Sequence, residues 1–162
     1  MHEPPRSNLG CQSPQSPQSA HRARNMRGGS SPAILTISAS EEDHRSLARI
    51  LGSAEWRTRH ARTLSEGLVL LREESASVVI CEDRLTDGDW RAALHLSAQI
   101  ACPPSFIVAS RLADERLWAE VLNAGGFDLL LKPFDKKEVL WVATAAWRQS
   151  RERRPRARRA EA

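Results

Sequence analysis

The residues in this chain best placed to do chemistry are Glu82, Asp83 and Lys132. The run Val78-Val79-Ile80-Cys81 leads directly into Glu82-Asp83 and then into Arg84-Leu85-Thr86-Asp87-Gly88-Asp89. A β-branched apolar run of this length reads as a strand buried on both faces. The acids therefore stand at its carboxyl end, the rim at which open α/β sheets bind their ligands. A carboxylate there can act as a nucleophile or as a fixed negative charge, and a lysine can offset the charge that builds beside it. The plainer alternatives are that Glu82 and Asp83 simply begin a solvated loop, and that Lys132 is a surface lysine paired with Glu82 at little energetic value.

The elements that must position these residues can be read in order. Ala33-Ile34-Leu35-Thr36-Ile37-Ser38 is a first strand. Ser40-Glu41-Glu42-Asp43 has the form of a capping box, and Leu47, Ile50 and Leu51 then line one helix face, with Gly52 as the stop. Trp56–Ala61 alternates weakly and carries charges, as a sheet edge does. Thr63-Leu64-Ser65-Glu66 is a second capping box, before a helix with Leu64, Leu68 and Leu71 on one face that ends near Glu74. After the strand at 77–82, Asp87 and Asp89 serve turn chemistry. Trp90, Ala93, Leu94 and Ser97 then mark a third helix, closed by Pro103-Pro104. Phe106–Ser110 is a fourth strand. Asp114 opens a fourth helix with Leu117, Val121 and Ala124, stopped by Gly125-Gly126. Phe127–Leu131 is a fifth strand, broken by Lys132-Pro133-Phe134. The last helix starts at Asp135-Lys136-Lys137-Glu138 and turns Val139, Val142, Ala143 and Ala146 to one side.

Five strands alternating with five helices imply an α/β fold, a doubly wound parallel sheet covered on both faces. One exposed second strand among four buried ones fits the order 2-1-3-4-5, the flavodoxin-like arrangement. Neither Gly-x-Gly-x-x-Gly after the first strand nor a Gly-x-x-x-x-Gly-Lys-Ser/Thr sequence occurs, so the phosphate cradles of dinucleotide and NTP sites are missing.

Length and charge set the domain plan: a basic, compositionally disordered N-terminal tail over 1–32, one domain over 33–148 and an Arg-rich C-terminal tail over 149–162. Residues 1–32 hold four Arg and one Glu, and residues 148–162 hold seven Arg and two Glu. Against a total of +4 for the chain, the body at 33–147 is left with −4. The three cysteines, Cys11, Cys81 and Cys102, have no metal-like or disulfide-like spacing, and Cys81 reads as a small buried hydrophobe. With neither an apolar signal region nor a membrane-length apolar run, a cytoplasmic protein with no membrane contact is expected. His44, His60 and His95 read as isolated, and no metal ligands group together.

Lys132-Pro133-Phe134 after strand 5, Ala124-Gly125-Gly126 before it, and the acidic segment Glu82–Asp89 after strand 3 occur in an order and at separations that resemble the receiver domains of bacterial two-component response regulators, the CheY-like family. The resemblance covers about residues 33–148. It implies a (βα)5 fold in which strand 3 ends in an Asp that takes a phosphoryl group from a histidine kinase, with two acids after strand 1 holding Mg²⁺. It further implies a Ser or Thr ending strand 4, and a Lys ending strand 5 before a proline whose peptide bond is usually cis. Here Lys132 and Ser110 occupy the last two positions, with Ala109 the alternative to Ser110. The phosphoacceptor position is Glu82, with Asp83 one residue late and pointing to the opposite face. The acid-pair positions are Ser38 and Ala39, while Glu41, Glu42 and Asp43 fall in the first helical turn, where they complement the helix dipole.

From this follows the expectation of a receiver-like signalling module that is not an enzyme. It is not phosphorylated, it uses no cofactor (Mg²⁺ only if the site is active), and it works in a phosphorelay by protein–protein contact. Glu82 would mimic part of the −1.5 to −2 charge of a phosphoryl group. Its partner is expected to be a histidine kinase or another two-component protein, or a second copy in a homodimer. The alternatives are an active receiver phosphorylated on Asp83, and a nucleic-acid-associated adaptor using the tails. Nucleic acid is the weaker choice, because the tail has no aromatic residues to stack on bases and charge alone gives only salt-sensitive binding. No DNA-binding output domain is expected after residue 148. Trp118, Trp141 and Trp147 read as packing residues. In receivers, however, the face of helix 4, strand 5 and helix 5 binds partners, so exposure of Trp118 or Trp141 would mark a docking patch.

Overall fold

A computed structural model describes residues 32–153. The expectations placed on the first tail and on the end of the second lie outside the described residues. Strands β1 (Ala33–Ile37), β2 (Arg57–Ala61), β3 (Val78–Glu82), β4 (Ser105–Ser110) and β5 (Asp128–Leu131) form one sheet in the order β2-β1-β3-β4-β5. Every pairing is parallel. Helices α1 (Glu41–Gly52), α2 (Leu64–Glu73), α3 (Trp90–Ser97), α4 (Glu115–Asn123) and α5 (Lys136–Arg153) connect the strands and continue beyond the last. The expected fold and strand order are both present.

Alternation along the strands divides the core in two. Leu35, Ile37, Val79, Cys81, Phe106 and Val108 pack on the side of α2, α3 and α4, whereas Ile34, Val78, Ile80, Ile107 and Leu130 pack beneath α1 and α5. The helices dock by the faces the sequence marks: Leu47, Ile50 and Leu51 on α1, and Val139, Val142, Ala143 and Ala146 on α5, are all buried. Trp56, expected on an exposed strand, instead precedes β2, is buried, and packs edge-on against Trp147 at 6.1 Å.

Three local expectations change. Gly52 is the last helical residue of α1, and the left-handed position falls at Glu55 (φ 62°). Ala124 lies exposed at the end of α4, which buries Val121 alone, while Gly125 (φ 99°) makes the turn. α5 runs five residues past 148, held by the bond from Ser105 Oγ to Gln149 Oε1 (3.2 Å) and by burial of Ser150. The Gly126 backbone lies against Val121, where an added Cβ would come within 2.9 Å of the Val121 carbonyl oxygen, so this position has no room for a side chain.

The segment after β3 is more ordered than a turn. Arg84–Leu85 and Gly88–Asp89 pair as a two-residue antiparallel hairpin. At its tip Asp87 accepts hydrogen bonds from the Leu64 and Ser65 backbone N–H groups (2.8 and 3.0 Å), capping α2 from across the rim. Those backbone donors hold the exposed Asp87 carboxyl below its ordinary pKa. Asp89 caps α3 through Ala92 N–H at 3.0 Å.

Candidate functional site

Lys132 is the hub of the carboxyl rim. β5 delivers it to the end of the sheet, where its backbone N–H bonds to the Ser110 carbonyl at 3.0 Å and the Lys132–Pro133 peptide is cis. Its side chain is only 5% exposed. Nζ donates to Asp43 Oδ2 at 2.5 Å and to Glu82 Oε1 at 2.9 Å. Burial pulls the lysine pKa down, but the hydrogen bonds and charges of Asp43 and Glu82 outweigh it, and the group titrates above its ordinary 10.5. Two carboxylates surround one ammonium, so the cluster is anionic and tightly bonded.

Asp43 is the member that sequence reasoning missed. From sequence its place in the first turn of α1 is explained, like that of Glu41 and Glu42, by the helix dipole. Those two are exposed, whereas Asp43 is 6% exposed. The cap at Ser40 forms as expected, its hydroxyl accepting from Asp43 N–H at 3.3 Å. The reciprocal half of the box does not: the Asp43 carboxylate turns inward to Lys132, and Ser40 N–H bonds instead to Ser38 Oγ at 3.0 Å. The available signal was periodicity, since Asp43 lies four residues before Leu47 and so shares its buried face.

Ser38 and Ala39 stand at the rim as expected, and each is tied to the same cluster. Ser38 Oγ lies 2.9 Å from both Asp43 Oδ2 and Glu82 Oε2, its one proton shared between the two carboxylates. Ala39 N–H donates to Glu82 Oε2 at 3.2 Å. The two positions thus bring a hydroxyl and a methyl group, and the nearby carboxylates already face an ammonium. This donor set does not fit a magnesium ion, which takes hard anionic oxygens in near-octahedral array. Among the described residues, no group of three or more His, Cys, Asp and Glu side chains is arranged to hold a metal ion.

Asp83 leaves the strand on the other side. Its N–H continues the β3–β4 ladder to the Ala109 carbonyl at 3.0 Å, so its side chain diverges from that of Glu82. It accepts a bond from Ser110 Oγ at 3.0 Å. The hydroxyl and the lysine therefore serve different acids: Ser110 holds Asp83, and Lys132 holds Glu82. Cys81 is fully buried, and burial together with the neighbouring Glu82 charge pushes its thiol pKa far up, so it is no nucleophile.

Two further features depart from expectation. His44 and His60 are not isolated: their rings meet edge to face at 4.9 Å. Trp147 is partly buried, with the Arg151 guanidinium 5.0 Å over its ring, but Trp118 and Trp141 are 48% and 79% exposed. Together with Leu122 and Leu131, which are also exposed, they belong to α4, β5 and α5. A groove between these elements is lined by Trp118, Leu129 and Leu131, with Glu115 and Glu138 at its sides.

No family model matches the chain, and no curated protein matches it. Solved structures do. It is similar to the signal receiver domain of an HD domain-containing protein from Pseudomonas fluorescens (24% identity, TM-score 0.68), covering 76% of this chain and 99% of that one. It is similar to a CheY-like response regulator receiver domain from Methanospirillum hungatei (20% identity, TM-score 0.69), covering 76% and 98%. A third similarity is to the signal receiver domain of a putative repressor protein from Vibrio parahaemolyticus (16% identity, TM-score 0.70), covering 75% and 94%. Strand order, the lysine at the end of β5 and these likenesses agree, and the chain has the fold of CheY-like response regulator receiver domains.

Proposed function

We propose that this chain is a receiver-like signalling module that works by protein contact in a two-component or related circuit, and that it does so without being phosphorylated. The observation that carries the reading is the bonding of Lys132. In a phosphorylatable site that ammonium moves onto the incoming phosphoryl oxygens; here it would have to leave two carboxylates, Asp43 and Glu82, that hold it together. With Ser38 and Ala39 in place of acids, the carboxylates left for a cation are Asp43 and Glu82, and the ammonium already occupies both. The module then needs no cofactor and catalyses no reaction, and its setting is the cytoplasm. Among the described residues, no helix is long and apolar enough to cross a membrane.

The test is direct. Incubated with Mg²⁺ and acetyl phosphate and then weighed intact, the full chain should show no gain in mass. The competing reading, a receiver phosphorylated on Asp83, is favoured by the Ser110 hydroxyl that already faces that acid. A base-labile gain of one phosphoryl group, lost in Asp83→Asn, would establish it in place of ours.

The contact surface in this reading is the apolar face of α4, β5 and α5. A tryptophan as exposed as Trp141 is a typical interface anchor, and truncating such anchors costs about 2 kcal/mol or more of binding, roughly a thirtyfold loss. Trp141→Ala should therefore weaken self-association, or capture of a two-component partner, by at least that factor while leaving the melting temperature unchanged. Identical association of wild type and variant in sedimentation and pull-down measurements would remove this face from the reading.

A further inference from the structure

The lysine cluster is linked through Ser38 to a second polar group buried between β1, β2 and α1. His44, itself 6% exposed, places Nε2 2.7 Å from the Ser38 carbonyl oxygen and Nδ1 3.1 Å from Thr36 Oγ1. Thr36 Oγ1 is also 2.6 Å from Nδ1 of His60, which lies on the exposed side of β2. Thr36 is fully buried.

The chemistry of the groups fixes where the protons lie. A carbonyl only accepts, so His44 carries its proton on Nε2 and, when neutral, has a lone pair on Nδ1. The Thr36 hydroxyl fills that need. It has one proton, so His60 must present an N–H at Nδ1 and donate to the threonine oxygen. The Arg59 carbonyl, at 3.3 Å, is a longer alternative acceptor for Thr36, and using it would leave His44 Nδ1 without a donor.

The same three residues have a second, mirror-image arrangement. A solvent proton adds to His60 Nε2. His60 passes its Nδ1 proton to the Thr36 oxygen, and Thr36 passes its own to His44 Nδ1. His44 is then an imidazolium that donates to Thr36, Thr36 donates to the lone pair on His60 Nδ1, and every hydrogen bond is kept. Two cationic rings 4.9 Å apart repel, so the pair holds one added proton.

We propose that His60, Thr36 and His44 are a proton relay that brings one proton from solvent to a buried ring and so couples external pH to the Ser38–Asp43–Lys132 cluster. His44 holds the Ser38 backbone, and the next residue back is the aspartate that binds Lys132, so a charge arriving on His44 enters the immediate surroundings of that ion pair. The other charges near the rings are Glu41 and Arg45 on α1 and Arg62 just after β2, while Arg59 on β2 turns its side chain away to Glu74 at 3.0 Å. Glu41 and Arg62 are paired with each other at 2.6 Å. Burial, and then the nearby His44, lower the pKa of His60 below its ordinary 6.5, which agrees with a proton shared under mutual repulsion. The relay stands apart from the question of phosphorylation.

Nitrogen NMR of the imidazole rings in the full chain tests it, with titration from about pH 8 to about pH 5. At the upper end, His44 is expected as the Nε2–H tautomer and His60 as the Nδ1–H tautomer. On acidification both rings should shift together, with one common midpoint. In His60→Gln the His44 signals should stay flat over that range. In Thr36→Val the common midpoint should be lost, and the two rings should no longer respond together. An Nε2–H tautomer on His60 at the upper pH, a His44 that never responds, or a His44 titration unchanged by His60→Gln would each overturn the relay. The wild-type titration decides the matter alone if a variant does not fold.

Discussion

Replacing Lys132 with methionine is expected to cost about 3–5 kcal/mol of folding stability, because removing one partner of a buried ion pair leaves uncompensated charge behind. Here two carboxylates would be stranded, with side chains only 9% and 21% exposed at Asp43 and Glu82. For a domain of this size each kcal/mol moves the melting temperature by about 4 °C, so a fall of roughly 12–20 °C should be seen by calorimetry. The pH profile supplies a second signature. The native lysine titrates above 10.5, its value when unpaired, so the stability it contributes is complete below that pH and fades as pH rises through the native value. Wild type should therefore carry a loss of stability on the alkaline side that Lys132→Met lacks. A methionine variant that melts within about 2 °C of wild type would mean that the ion pair holds nothing together.

Ser38→Asp should have the next largest effect, in the same direction and for the opposite reason. Ser38 is buried, and its hydroxyl is the neutral bridge between the Asp43 and Glu82 carboxylates. An aspartate there sets a third negative charge against one ammonium and removes a shared donor. About 3 kcal/mol should be lost near neutral pH, the scale of an unpaired buried charge. The same change creates a cluster of carboxylate oxygens, the chemistry that magnesium selects. Adding Mg²⁺ at ten times its dissociation constant should then restore about 1.4 kcal/mol in the variant and do nothing for wild type. Thermal melts with and without Mg²⁺ measure both quantities. A variant as stable as wild type without the cation would show that the pocket has room for a third anion, and the acid-poor site would lose its physical significance.

The fold was legible because its signals are local. Val78–Cys81 and Phe106–Ala109 are short apolar runs, and the helices carry Leu47, Ile50 and Leu51, or Val139, Val142 and Ala143, at helical spacing. The caps at Ser40, Thr63, Asp89 and Asp114 all form where a polar residue precedes a helical run. That Glu82, Asp83, Ser110 and Lys132 would gather at one rim was legible because parallel strands all end there. Asp43 was missed because an acid in the first turn of a helix already has a sufficient local explanation in the dipole. His44 and His60 looked isolated because fifteen residues, including the rest of α1, lie between them; the pairing of β1 with β2 sets His60 beside Thr36, and the packing of α1 on the sheet brings His44 there.

By itself the chain's order of residues determined the parallel sheet, its winding and the rim at which polar residues gather, since each follows from periodicity, turn residues and the right-handed crossover rule. Only the tertiary structure decided which acid meets which partner. A carboxylate of either Glu82 or Asp83 could have faced Lys132, and the choice depended on where β3 ended and which way adjacent side chains pointed. It also depended on Asp43, because an ammonium removed from water takes every anionic oxygen within reach, whatever its distance along the chain.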